Sequence, residues 1–154
     1  MKFFIDIKLP ATVNSEEKEE KEKIQIKIFE ILTQMIKKFC GNNRLRTHYI
    51  GIAIWEAIYN STLHGGTTEF LEVNIGIGIS RHQKKLIFLI NDNGNFYRLP
   101  LIKEVIKKKD LEKLRNFKPH DKSGGYGFEI IFESKPKIKI LNGTLCLIWE
   151  KARN

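Results

Sequence analysis

Trp55-Glu56-Ala57-Ile58-Tyr59-Asn60-Ser61-Thr62-Leu63-His64-Gly65-Gly66 is the stretch that decides how this chain folds and what it can hold. Glu56, Asn60 and His64 recur every four residues, which places all three along one side of a helix. Ile50, Ile54, Ala57 and Ile58 fall on the other side and form the stripe expected to pack on a core. Gly65-Gly66 is a helix stop. A carboxylate one turn from an amide oxygen suits a magnesium–phosphate centre. Magnesium takes few protein oxygens, and Asn60 can provide one without adding negative charge beside phosphates. Glu56 can then orient or deprotonate an attacking hydroxyl. An ordinary amphipathic helix exposes the same polar groups, and His64 has a simple role available at the negative end of the helix dipole.

Two further polar clusters follow in order. Asn91-Asp92-Asn93-Gly94-Asn95-Phe96 comes where the hydrophobic run Leu86 to Ile90 meets turn residues. A buried acid at Asp92 can accept a hydrogen bond from the exocyclic amine of adenine, and Gly94 lets backbone approach the ring. Bases lacking that amine would leave the acid unpaired, which is a source of specificity. The same residues also make an ordinary turn. In Ser123-Gly124-Gly125-Tyr126-Gly127-Phe128, the glycines Gly124, Gly125 and Gly127 precede a helical run from Phe128 to Glu133. Glycines at a helix N-terminus expose N–H groups to phosphate, and Lys122 is placed to add a positive side chain. A flexible loop would look alike. No lysine followed by serine or threonine comes after the last glycine, so the P-loop pattern is excluded.

Outward from these clusters, Lys2 to Leu9 reads as a short strand ended by Pro10. Asn14 or Ser15 caps a long helix over Glu16 to Phe39, with Ile24, Ile28, Ile31, Leu32, Met35, Ile36 and Phe39 at helical spacing and Gly41 as its stop. The second helix covers about Leu45 to Leu63. Strands follow over about Glu69 to Ser80 and Lys84 to Ile90, joined at Arg81-His82-Gln83. Val73, Ile75, Ile77 and Ile79 alternate, so one face of the first is buried. Pro100 to Phe117 reads as one or two short surface helices. After the third cluster comes a helix to Glu133, then a hairpin of Lys137 to Leu141 and Thr144 to Lys151 across Asn142-Gly143, a strong two-residue turn signal. The expected fold is α+β: a two-layer α/β sandwich with a mixed, mostly antiparallel sheet and helices on one face.

With 154 residues, 42% hydrophobic and 29% charged, the chain is expected to be one soluble globular domain over residues 1–154 that buries about two-thirds of its unfolded surface. Cys40 and Cys146 are distant and give neither zinc spacing nor a disulfide framework, pointing to a reducing cytoplasm. Asp6 breaks the N-terminal apolar run too early for a signal segment, and no stretch approaches a membrane span. The net charge of +9 raises nucleic-acid binding, but the lysines are scattered among acids and no nucleic-acid motif accompanies them. A polyanionic small ligand or an acidic protein partner would use the same potential.

The three clusters, in this order and at these separations, resemble the asparagine box and two glycine boxes of the Bergerat-fold (GHKL) ATPases. The helix pattern Glu-Ala-x-x-Asn-x-x-x-His-Gly and the Gly-Gly-x-Gly-Phe loop are most similar to the anti-sigma-factor serine kinases. That resemblance implies Glu56 as general base, Asn60 as magnesium ligand, Asp92 with Gly94 as the adenine reader, and Gly125 and Gly127 on the phosphates. Pro100 to Lys122 would be an ATP lid. It implies ATP and Mg2+ as ligands and phosphorylation of a serine on a small anti-anti-sigma (STAS-like) partner. A bound sigma factor and a homodimer belong to the same expectation. Two departures stand out: Asp-Asn-Gly-Asn-Phe lacks the second glycine of many relatives, and Lys122, Ser123 and Tyr126 occupy a neighbourhood where some relatives carry arginine. A non-catalytic ATP-gated binding module of the same fold is the alternative.

Overall fold

The computed structural model describes residues 7–10, 15–64, 72–92, 96–110, 112 and 126–151. Their order is β1 (Ile7–Pro10), α1 (Ser15–Cys40), α2 (Arg44–His64), β2 (Glu72–Ile79) and β3 (Lys85–Asp92), then a 3-10 turn (Phe96–Arg98), α3 (Pro100–Lys108), α4 (Tyr126–Glu133), β4 (Lys137–Leu141) and β5 (Thr144–Glu150). The five strands make one sheet in the order β1-β2-β3-β5-β4. The chain is therefore α+β, compatible with a two-layer sandwich. Every strand pair described is antiparallel, so the expected parallel component of a mixed sheet is absent among the described residues. For β2–β3 and β4–β5 the physical reason is connection by short turns, which permit only antiparallel pairing.

Local chemistry explains the element ends. Gly41 has φ +60° and its N–H returns to the Lys37 carbonyl at 2.8 Å, closing α1 with a left-handed cap. Asn43 then caps α2, its Oδ1 accepting the Arg46 N–H at 2.9 Å. Asn142 and Gly143 both have positive φ, the twist-matched turn that joins β4 to β5.

The register sorts side chains by face. Val73, Ile75, Ile77 and Ile79 pair with Asp92, Ile90, Phe88 and Leu86, and those of β3 continue onto Leu145, Leu147 and Trp149 of β5. All are buried. α1 and α2 lie against β2 and β3, and α4 packs on α2. From α1, Ile28, Leu32, Ile36 and Phe39 join this core, and from α2 Ile50, Ala53, Ile54, Ala57 and Ile58 do. Ile24 does not; it is exposed, as are Ile26 and Phe29. Cys146 is buried and Cys40 half-buried, and both are free thiols. Burial raises the pKa of each. No helix among the described residues is long and apolar enough to cross a membrane.

Candidate functional site

The core places Asp92 at an unusual point. It is the last residue of β3, paired with Val73, and it continues the buried face of Leu86, Phe88 and Ile90. Strand alternation thus drives a carboxylate inward, where only 4% of its surface remains exposed. Its Oδ1 accepts the Phe96 N–H at 3.2 Å, which closes the chain back on itself and starts the 3-10 turn.

That turn ties the acid to helix α2. Tyr97 is fully buried. Its hydroxyl donates to the Ala57 carbonyl at 3.2 Å and accepts from Ser61 Oγ at 3.2 Å. Ala57 and Ser61 directly follow Glu56 and Asn60 in sequence, so the tyrosine grips the very turn of helix that carries both polar residues. Burial holds the Tyr97 hydroxyl in its neutral form, raising its pKa well above the usual tyrosine value; the Asp92 charge adds to the rise and the Ser61 bond opposes it.

The third cluster reaches the first through Gly127. It lies in the first turn of α4, since the helix begins at Tyr126 and not at Phe128 as expected. A Cβ at this position would lie 2.9 Å from both Glu56 Oε2 and Asn60 Nδ2, and 3.2 Å from Asn60 Oδ1. Only a residue without a side chain lets α4 approach these groups so closely. Phe128, buried beneath, stacks on Phe96 with ring centroids 6.4 Å apart. Phe96 thereby packs the second cluster on the third.

Glu56, Asn60 and Gly127 are therefore brought close together, and Asp92 lies at the start of the 3-10 turn whose Tyr97 bonds the neighbouring Ala57 and Ser61. Gly94, Lys122, Gly124 and Gly125 lie outside the described residues. His64 ends α2, with its side chain also outside the description, and of the expected lid, α3 covers Pro100–Lys108. Ser61, Phe96, Tyr97 and Phe128 were missed as site residues. One signal was available: Ser61 stands four residues after Ala57 on the apolar stripe, and a hydroxyl there needs a buried partner.

Among the described residues, no three His, Cys, Asp or Glu side chains gather as a metal cage. The donor chemistry here is different. Asn60 Nδ2 is buried with no hydrogen-bond partner among the described residues, and leaving such an atom unsatisfied costs about 1–3 kcal/mol. Beside it stand a carboxylate and a bare glycine backbone. The unpaired Nδ2 is a donor and fits an acceptor such as a phosphate oxygen, while Asn60 Oδ1 and the Glu56 carboxylate are the oxygens that could meet a cation arriving with most of its own ligands.

No family model matches the chain and no curated protein matches it, so the geometry of these residues carries the functional reading.

Proposed function

We propose that this chain is an ATP- and Mg2+-dependent protein serine/threonine kinase of the anti-sigma-factor type, with the Bergerat (GHKL) fold, acting in the cytoplasm. The observation that carries it is the contact of Gly127 with Glu56 and Asn60, with buried Asp92 tied to the same helix turn through Tyr97. Three separated stretches thereby supply an acid for a base amine, an amide and carboxylate at a phosphate end, and a glycine at a helix N-terminus.

In this reading Asp92 accepts the adenine amine, with Gly94 beside the ring. Backbone N–H groups of Gly124, Gly125 and Gly127 receive phosphate oxygens, and Lys122 adds positive charge. Asn60 would hold magnesium, which supplies charge neutralisation on the phosphates. Glu56 orients the acceptor hydroxyl and takes its proton. The hydroxyl oxygen forms a bond to the γ-phosphorus while the bridging bond to the β-phosphate breaks, and the electron pair leaves with ADP. The acceptor is a serine of a STAS-like anti-anti-sigma protein, with a sigma factor and a second copy of this chain as further partners.

Isothermal titration with ATP, with and without magnesium, tests the pocket. Absence of any heat at millimolar nucleotide would end the proposal. A second reading, an ATP-gated binding module without catalysis, is favoured by the exposed apolar surface of α1 and α2 (Ile26, Phe29, Tyr49, Trp55). Glu56→Gln separates them: a kinase keeps ATP binding and loses transfer, whereas a module keeps its regulatory output.

A further inference from the structure

Helix α2 is apolar on both sides. One side, Ile50, Ala53, Ile54, Ala57 and Ile58, is buried in the core. The other carries Leu45, Tyr49, Trp55 and Tyr59, all exposed, with Leu45 at 67%. Large apolar side chains on the outer side of a surface helix stay in water unless a partner covers them. Across the seam, α1 adds exposed Ile26 and Phe29, and Phe29 meets Trp55 edge-on with centroids 6.3 Å apart. Trp55 projects about 100° round the helix from Glu56 to meet α1, so the α1–α2 seam lies beside Glu56 and Asn60 and is lined by neither.

The seam is a groove. Its middle has a volume of about 390 Å³ and is floored by Leu32, Ile36, Gly51 and Ile54. Gly51 makes it deep: a Cβ there would meet nothing within 4 Å. A mid-helix glycine costs about 0.5–1 kcal/mol relative to alanine, and alanine would fit. What the glycine provides is depth.

The groove is graded in charge. Thr47 and His48 line both the apolar middle and an adjoining hollow with Lys37 and Arg44. At the other end, Phe29 and Trp55 line both the middle and a hollow with Glu22 and Glu30, where the lining among the described residues carries no cation. The order is basic, apolar, acidic. A free apolar molecule or a lipid surface has no use for opposite charges at opposite ends. A helix does: its side chains at three- and four-residue spacing fill a two-helix groove, and charged residues in its end turns meet the rims.

We infer that the α1–α2 seam docks an amphipathic helix of a partner protein, bearing apolar residues at i, i+3, i+4 and i+7, acidic residues at the end over Lys37 and Arg44, and basic residues at the end over Glu22 and Glu30. The groove stands independently of the kinase reading, because none of its lining residues serves the nucleotide.

The test uses the full chain and a fluorescein-labelled 18-residue helical peptide with a leucine stripe, glutamates in one end turn and lysines in the other. Fluorescence anisotropy should show saturable binding with Kd on the order of 10 μM. Gly51→Leu fills the groove and should weaken binding at least tenfold while circular dichroism shows an intact fold and ATP titration is unchanged. Lys37→Glu with Arg44→Glu should weaken the same peptide and strengthen one with lysines at both ends. No saturable binding, equal binding of a peptide with the leucines scrambled, or full binding by Gly51→Leu each overturns the proposal. So does a concentration-dependent dimer in sedimentation that Gly51→Leu dissolves, which would give the groove to a second copy. Co-sedimentation with phosphatidylcholine–phosphatidylserine vesicles, lost in Gly51→Leu, would give it to a membrane and overturn it equally.

Discussion

Gly127→Ala is the substitution that separates a packing role from a site role. The added methyl would sit 2.9 Å from Glu56 Oε2 and from Asn60 Nδ2. Ordinary contact begins at about 3.5 Å, so each group must retreat by about 0.6 Å. Both are the far ends of side chains with rotamers to spare, and moving them off their minima costs about 1 kcal/mol. Against this, alanine gains up to about 1 kcal/mol over glycine inside a helix. Net stability should change by less than about 1 kcal/mol, because the two effects nearly cancel. Function should not cancel. On the proposed kinase reading the amide and carboxylate are displaced together, and misplacing catalytic groups by an ångström costs about 100-fold in rate. Urea melts should therefore overlay, while calorimetry shows Mg-ATP affinity reduced at least tenfold, about 1.4 kcal/mol, and phosphotransfer falls further. Two results would refute this. Wild-type affinity and transfer in Gly127→Ala would mean that the contact is mere packing. A stability loss above about 3 kcal/mol would mean that the two side chains cannot move aside.

Tyr97→Phe removes the hydroxyl that bridges the Ala57 carbonyl and Ser61 and should cost about 1–2 kcal/mol in denaturant unfolding. Ser61→Ala in the same chain should then cost little more, giving a double-mutant coupling of about 1 kcal/mol. The pH dependence has a definite sign. Tyr97 keeps its proton in the folded state when the unfolded tyrosine, with a pKa of about 10, has lost it. Its contribution is fully present below about pH 10 and is lost above it, at up to about 1.4 kcal/mol per pH unit, and Tyr97→Phe should abolish that part of the slope. Asp92→Asn keeps an oxygen for the Phe96 N–H, so the fold should hold while, on the proposed function, ATP affinity drops at least tenfold by calorimetry. Gly51→Ala should stabilise the chain by about 0.5–1 kcal/mol in thermal melts, since its methyl meets nothing.

Much of the frame was legible because its signals are local. The alternation of Val73 to Ile79, the Asn142-Gly143 turn and the stop at Gly41 each determine geometry through neighbours in sequence, and the strands, hairpin and cap all appear. Among the described residues boundaries moved by one or two residues, as at Asn43, whose side chain starts α2 one residue before the apolar pattern suggests. The sheet's purely antiparallel pairing was not legible, because strand partners are chosen across the core. Nor was the exposure of Tyr49, Trp55 and Tyr59 on α2: apolar residues on both sides of a helix give no sign in sequence of which the protein covers.

For the site, residue types and order were readable and mutual position was not. Glu56 and Asn60 share a side because the helix repeat demands it. Nothing in the chain's pattern says that Gly127 comes against them or that Tyr97 reaches Ala57 and Ser61, across 40 and 36 residues of sequence. Such contacts form only when β3 carries Asp92 inward and α4 settles on α2, driven by burial of Phe96, Phe128 and the aliphatic core. Hydrophobic burial is non-directional; it assembles the layers, and close packing then decides which polar groups meet. The sequence by itself determined the elements and the chemistry each carries, because these depend on spacing along one backbone. Tertiary structure alone decided that Gly127 meets Glu56 and Asn60 and that Tyr97 joins the end of β3 to the same helix turn, because only packing brings distant backbone within reach of a side chain.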